Sequence, residues 1–551
     1  LASVTKRHSG SRFGQPAAST AATDRTQAVL FPATSSNEPS NHSKTRRGTF
    51  ARFFYLPIIL SLQEDNTMGI RTHEAYRQSL RDGRRVYISG ERVEDVTKHR
   101  VLSITVDTIA AGYELAQKAD QKTKDLLIAK HPETGEPINR FYVTPKTPED
   151  LRNRTLAIQT LMRLTGGLPF GKDIGTDCLN AAMAVAKQMG NKQYEDNAKN
   201  FLEHLRKNDL HTCGAVTCVK GDRSKEPAKQ KHPDYYLHVV DKNKEGIYVK
   251  GAKIHITSAP AANEILVVPT RQMRENEADY AVSFAIPANT KGITFICRNG
   301  RGPWSDREFH ADRPVRELTE AMIVFDNVFV PWDRVFMCGE WQYSMYLAYT
   351  FATFHRFTAI SYKVPSVEVM AGCAVAMAKY NGLFKVSHIR EKLADVAAYV
   401  ETLRALASAA AHEPVMFGEI AVPNPLIANM AKLHFASKYH DFVKLIQDIG
   451  GGILATSPDK RDWDNPEIHD YLEHYLGGAS EYSTLDRMKM IHETMRHVCS
   501  HESAFHEVTT VHAEGSMAAQ KMMILHESPL EKYEKRAQVA AGILPIGTSV
   551  D

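Results

Sequence analysis

Several stretches carry residue types at spacings that could do chemistry. "HTCGAVTC", His211 to Cys218, sets two thiols and an imidazole inside eight residues. A tetrahedral metal or cluster site needs three or four converging soft ligands, and Cys213-x4-Cys218 supplies two at a spacing unlike the usual C-x2-C pair. The flanking Gly214, Ala215 and Val216 read instead as a strand entering a β region. "HETMRHVCSHESAFHE" places His497 and His501 one helical turn apart, but its H-E-x3-H segment is one residue longer than the H-E-x-x-H of a zinc site. That residue swings the second imidazole about 100° around the helix, so solvated or interface histidines are expected, and no metal.

The remaining candidates are loops. "QDIGGGILATSP" puts Gly450, Gly451 and Gly452 where a long helix should stop. One glycine suffices for a helix cap, whereas three bare amides followed by Thr456 and Ser457 suit close approach of a phosphate. "VKGDRSKEP", with Lys220, Gly221, Asp222, Arg223 and Lys225, reads alone as a solvated turn. "AKIHITSAPAANE" carries Thr257 and Ser258 where a strand meets a turn, so their hydroxyls either donate to a ring system or cap that turn.

The elements that must position these residues follow from periodicity. "THEAYRQSL" has a Thr72 cap and apolar residues at helical spacing, and similar spacing recurs near 151–165 and 178–205. From Asp209 the pattern turns strand-like: "YYLHVV", "IYVKGAKIHITS", "EILVVPT", "YAVSFAIP", "ITFICR" and "MIVFDNVFVP" are bounded by Gly, Pro, Asn or charge. After Trp332 the helical period returns, with Leu393, Val396, Ala397, Val400, Leu403 and Leu406 on one face. Asn424 and Pro425 form a helix start that runs to the three glycines. The expected domains are 68–208 helical, 209–335 an antiparallel β sheet or barrel, and 336–551 a helical bundle, an α+β chain.

In this order, the segments resemble a flavoprotein family that contains the 4-hydroxyphenylacetate 3-monooxygenase oxygenase component and 4-hydroxybutyryl-CoA dehydratase. The resemblance is carried by "YRQSLRDGRRVYISGERVEDVTKH", "INRF", "NDL…GAVTCVKGDRS", "KGAKIHITSAPAANEILVVPT", "IVFDNVFVPWDRVF", "FHRFTAISYK", "QDIGGGILATSP" and "HAEGSMAAQ", from about Met68 to Ile543. It implies an acyl-CoA-dehydrogenase-like fold and FAD bound between the β domain and the C-terminal helices of a homotetramer. It carries flavin contacts onto Gly214, Ala215, Val216, Lys220, Gly221, Asp222, Arg223, Thr257, Gly450, Gly451 and Gly452, the glycine loop meeting a neighbouring subunit's cofactor.

Two departures qualify the function that the resemblance implies. The family's phenol hydroxylases hold substrate with an R-S-P-D-Y segment and a histidine at the start of the β domain. Here the segment is "IGTDC", with Ile174, Asp177 and Cys178 facing the substrate, and the histidine's place is Gly214. A phenolate loses its cationic and hydrogen-bonding partners there, which argues against hydroxyphenylacetate itself. The dehydratase branch holds a four-iron cluster through positions that match Pro169, Asp173, His355 and Tyr362, so no iron-sulfur cluster is expected. Glu320, His355 and Lys363 match that branch and become the expected catalytic groups, a carboxylate and an imidazole beside a flavin being able to move a proton next to a thioester carbonyl.

The leading expectation is an FAD-dependent oxidoreductase, the oxygenase component of a two-component aromatic monooxygenase, supplied with reduced FAD by a separate reductase. The alternatives are a cluster-free acyl-CoA dehydratase or isomerase, and a flavin-binding protein without turnover. A net charge of +4 over 551 residues gives no case for nucleic-acid or membrane-surface partners. Seven irregularly spaced cysteines point to a reducing compartment. Leu1 to Leu62 has eight Lys/Arg against two acids, the composition of sequence translated ahead of a start at Met68 or of a cleaved presequence. Cytoplasmic location is expected, or mitochondrial if that extension is a genuine presequence.

Overall fold

Thr72 starts the first helix, α1 (His73–Ser79), its hydroxyl accepting from the Ala75 amide at 3.0 Å and so satisfying one orphan donor of the helix end. The computed structural model describes residues 69–165, 172–299 and 318–549. Residues 1–67, expected as an extension, and Pro169 lie outside the described residues. The helices α2 (Leu102–Lys118), α3 (Gln121–Leu127), α4 (Pro148–Thr165), α5 (Lys172–Met189) and α6 (Lys192–Asn208) follow. This segment also contributes strands that the helical period hides: β1 (Val86–Ile88), β2 (Glu91–Val93), and a hairpin of β3 (Ile128–Lys130) and β4 (Pro137–Asn139).

The strand-like runs become β5 (Thr212–Ala215), β6 (His238–Lys242), β7 (Gly246–Thr257), β8 (Glu264–Val267), β9 (Val282–Pro287), β10 (Ile293–Cys297), β11 (Glu320–Pro331) and β12 (Val335–Cys338). They form two sheets, ordered β2-β1-β10-β11-β7-β6 and β12-β9-β8-β5. Most pairs are antiparallel, as expected. Two are parallel, β1 with β10 and β5 with β8, because β1 and β5 arrive from the helical segment rather than through a hairpin. One apolar core joins both sheets to the N-terminal helices, through residues such as Tyr76, Leu179, Phe284 and Phe325.

The contact that sets the site is between α5 and β5. A Cβ added at Gly175 would lie 2.1 Å from Thr212 Oγ1 and 2.4 Å from its Cβ, so the helix rests directly on the strand. Lys172, at the start of α5, donates to Asp209 Oδ1 at 2.6 Å and fixes the helix end to the chain just before β5. Gly175→Ala is expected to cost about 2 kcal/mol through overpacking, read as a lower midpoint in urea unfolding.

The C-terminal half is built on α7 (Ser344–Tyr380), α8 (Ser387–His412) and α9 (Pro425–Gly450), with a small hairpin of β13 (Val415–Phe417) and β14 (Ile420–Val422) before α9. Asn424 caps α9 as expected, Oδ1 accepting from the Ile427 amide at 3.0 Å, with Pro425 in the first turn. Short helices α10 (Ile453–Thr456), α11 (Lys460–Asp464) and α12 (His469–Tyr475) lead to α13 (Thr484–Val498), α14 (His501–His512), α15 (Met517–Glu527) and α16 (Leu530–Ala540). A second apolar core, with Val364, Leu403, Phe435 and Ile446, binds these helices together. No helix among the described residues is long and apolar enough to cross a membrane.

Candidate active site

On the β side, the site begins where β5 meets α5. A Cβ at Gly214 would stand 2.8 Å from Cys178 Sγ and 3.0 Å from Ile174 Cγ2. Ile174, Cys178 and Gly214 therefore pack as one cluster, in which only a glycine fits at 214. Asp177 of that segment faces elsewhere, as described below. Cys213 and Cys218, the thiols beside Gly214, are free and buried.

The loop after β5 turns at Lys220 (φ 71°) and Gly221 (φ 53°), a conformation in which a non-glycine residue is uncommon. A Cβ at Gly221 would meet the Tyr235 ring at 2.3 Å. Lys220 and Arg223 make no hydrogen bond or ion pair among the described residues, and burial lowers the Lys220 ammonium below its usual range, Arg223 and Lys253 adding to the effect. Asp222 is spent on the loop itself, accepting from Ser224 Oγ at 2.7 Å and the Ser224 amide at 3.0 Å and lying 3.3 Å from Lys225 Nζ. Lys220 and Arg223 are thereby left without an ion pair among the described residues beside a glycine-permitted backbone, which fits the pyrophosphate of a dinucleotide-type cofactor.

Across the sheet, Thr257 of β7 pairs in register with Glu320 of β11. Thr257 Oγ1 donates to Glu320 Oε1 at 2.7 Å, while Glu320 Oε2 is buried without a partner. Burial raises this carboxyl to about 7, against the opposing pull of Thr257 and Arg298. A carboxyl poised near neutrality with one open oxygen is suited to general acid–base work.

On the helix side two carboxylates organise the cations. Asp177 of α5 accepts from Arg154 at 2.7 Å and Thr358 at 2.9 Å, and its other oxygen is 3.2 Å from His355 Nδ1. His355 also stacks on Phe351, with centroids 5.2 Å apart. Asp173, one turn earlier, is raised to about 6 by burial and by the Asp177 charge.

The second carboxylate is Glu514, in the turn between α14 and α15. Its φ of 58°, followed by Gly515 at 93°, turns the side chain inward. It accepts from Tyr362 Oη at 2.6 Å and Lys363 Nζ at 2.8 Å, and lies 3.3 Å from Lys432 Nζ. Burial works to raise the Glu514 carboxyl, but the two ammonium groups outweigh it and bring it to about 2. Burial lowers Lys363 to about 7 against the pull of Glu514. The Tyr362 phenol is raised well above its usual range by burial, and then by Glu514, with Asp173 and Glu320 adding to it.

The structure thus brings together Gly214, Ile174 and Cys178, then Thr257 with Glu320, and then Asp177 with His355. Lys363 sits with Glu514, Lys432 and Tyr362, groups to which the sequence reading gave no catalytic role. Glu514 lies in the quoted segment "HAEGSMAAQ", so the signal was present without a role attached. Gly450 closes α9, where a Cβ would meet Leu454 at 2.4 Å; Gly451 (φ 74°) is the helix cap, and positions 451 and 452 face open space. His497 and His506 pair with Glu493 and Glu502, and the described residues contain no group of three His, Cys, Asp or Glu that could hold a metal. Of the positions matching the cluster ligands, Tyr362 is committed to Glu514, and Pro169 is outside the described residues.

Comparison with known proteins gives this arrangement its context. Residues 72–337 match the 4-hydroxyphenylacetate 3-hydroxylase N-terminal model and residues 345–542 its C-terminal model. The chain is 32% identical over 493 residues to the 4-hydroxybutyryl-CoA dehydratase/vinylacetyl-CoA-Delta-isomerase of Clostridium aminobutyricum, covering 86% of this chain and 100% of that protein. It is 30% identical over 406 residues to the 4-hydroxyphenylacetate 3-monooxygenase oxygenase component of Thermus thermophilus, covering 72% and 81%. Among solved structures, an oxygen-tolerant archaeal 4-hydroxybutyryl-CoA dehydratase from N. maritimus aligns with a TM-score of 0.79 at 29% identity, over 88% of this chain and 96% of that one. The 4-hydroxyphenylacetate 3-monooxygenase oxygenase component complexed with FAD and 4-hydroxyphenylacetate aligns at 0.77 and 27%, over 86% and 99%. With the acyl-CoA-dehydrogenase-like order of helices, sheets and helices, the chain is an enzyme of the 4-hydroxyphenylacetate 3-hydroxylase family.

Proposed function

We propose that this enzyme is an FAD-dependent aromatic monooxygenase, the oxygenase component of a two-component system that receives reduced FAD from a separate reductase. The observation that carries the reading is that one run of strands supplies both Lys220 and Arg223, which have no ion pair among the described residues, and the Thr257–Glu320 pair with its open carboxyl oxygen. The FAD-bound relative of similar fold supports it. Backbone at Gly214, Ala215 and Val216 would hold the ring system, Lys220 and Arg223 the phosphates, and Gly450 to Gly452 the cofactor of a neighbouring copy in a homotetramer. The bound FAD supplies the activation of oxygen and its transfer to the substrate.

The chain's own residues would bind, orient and move protons. Glu320 Oε2, unpartnered and raised to about 7, would accept the proton of a phenol as the ring becomes electron-rich. Ile174 and Cys178 would wall the ring in place of charged groups, selecting a less polar phenol than hydroxyphenylacetate. Apolar closure there would also keep water from the reacting centre.

One observation favours a second reading. The buried Glu514 accepts from both Tyr362 and Lys363, an arrangement that suits proton transfer along an acyl thioester in a cluster-free dehydratase or isomerase. Rapid mixing of the protein with reduced FAD, a panel of para-substituted phenols and labelled dioxygen separates the two. The expected result is a catechol carrying one labelled oxygen atom. A double-bond shift in vinylacetyl-CoA without phenol hydroxylation would replace the first reading by the second, and tight FAD binding with neither turnover would leave a flavin-binding protein.

A further inference from the structure

Lysine is seldom fully buried unless it is paired with an acid. Lys253, in β7, is 1% exposed, among the largest fully buried side chains of the protein. Its Nζ donates to the Val216 carbonyl at 2.7 Å and to the Val268 carbonyl at 2.9 Å, and no carboxylate among the described residues comes within ion-pair distance. Val216 is held further by Thr270, whose hydroxyl donates to the same carbonyl at 2.8 Å. Backbone dipoles therefore fix the ammonium, but nothing on the described chain neutralises it.

A charge buried in this way is costly, and an apolar side chain of similar length would tie β7 to the neighbouring strands without that cost. The position explains what could use the charge. Lys253 lies beneath the strand end formed by Gly214 to Val216, and its isolated bridge partner is Cys218 of the following loop. The Val216 carbonyl that its Nζ holds closes the strand end whose Gly214 packs against Cys178, and Lys220 follows in the next loop. An anion seated on the Gly214 to Val216 strand end would supply the counter-charge that the described chain does not.

We infer that Lys253 is a buried counter-cation held beneath the cofactor strand, and that it selectively stabilises the anionic reduced form of the bound flavin. The inference rests on the FAD reading of the site. Lys253 is a positioning residue in this role, acting through the electrostatics of the strand and not through contact with the reacting atoms. In an oxygenase component that receives its cofactor already reduced, such a bias would favour capture of reduced over oxidised FAD.

The test is the affinity of the full chain for oxidised and for anaerobically reduced FAD, together with the reduction potential of the bound flavin, in the parent and in Lys253→Met, Lys253→Gln and Lys253→Arg. The expected result is a tenfold loss of preference for reduced FAD in Lys253→Met, about 30 mV for a two-electron couple. Lys253→Arg should keep the parent's ratio. Lys253→Gln retains an N–H donor for Val216 but not the charge, and gives the same readout if the Met variant does not fold. Equal weakening of both redox forms, or an unchanged ratio in a folded Met or Gln variant, would overturn the inference. Failure of all three variants to fold would assign Lys253 to holding the strands and overturn it equally. A parent protein that binds neither form of FAD would remove the flavin reading itself, an outcome distinct from the others.

Discussion

Glu320→Gln is expected to lower kcat by about 10²- to 10⁴-fold, the span typical of a lost general base, while leaving FAD affinity within a few fold. The parent's kcat/KM should rise with pH to a plateau above about 7, where the buried carboxyl becomes the carboxylate. That limb should disappear in the variant. Stability gives a second check with the opposite sense. A carboxyl whose folded value of about 7 lies above its ordinary 4.5 keeps its proton when folded and loses it when unfolded, so the parent loses stability as pH rises from about 4.5 to 7. Glu320→Gln cannot titrate, and its stability relative to the parent should therefore increase over that interval. A variant that loses activity and also becomes less stable above pH 7 would show that Glu320 serves packing instead of proton transfer.

Glu514→Gln should be the most destabilising single change in the site. Lys363 and Lys432 are 1% and 0% exposed beside it, and removal of the carboxylate leaves two buried ammonium groups facing a neutral amide. Breaking a buried pair in this way costs about 3–5 kcal/mol, measurable as a lower midpoint in urea unfolding. The pH sense is fixed by the depressed carboxyl. Its contribution is complete above the ordinary value of 4.5 and is lost as pH falls through about 2, so the gap between parent and variant should close in acid, and it should narrow again as pH rises through about 7, where Lys363 gives up its proton. Adding Lys432→Met to Glu514→Gln should recover part of the loss, since one of the stranded charges is removed. Recovery of none would show that the network's worth lies in its hydrogen bonds to Tyr362 and Lys363 rather than in charge balance.

Much of the local structure was legible because its signals are local. The Thr72 and Asn424 caps need only the amides of their own first turns, and the strand runs between 235 and 331 are bounded by their own turn residues. Gly214 was identified by its position in a family pattern, and the structure supplies the reason for it, a van der Waals wall of Ile174 and Cys178. The parallel pairing of β1 with β10 was not legible, since a three-residue strand has too short a period to be distinguished from a turn.

What the sequence by itself determined is the order of the elements, the family, and the residue types available for acid–base chemistry. Tertiary structure alone decided which of them meet. Glu514 and Lys363 are 151 residues apart, Asp177 and His355 are 178 apart, and the carbonyls that hold Lys253 belong to two other segments. Periodicity and capping act over a turn or a strand, whereas the ionisation of a buried group is set by burial and by charges brought near it when helices and sheets pack. Glu320 was visible as a carboxylate at a strand edge. Only the folded chain buries it, satisfies one oxygen with Thr257, leaves the other open and so raises the carboxyl to about 7.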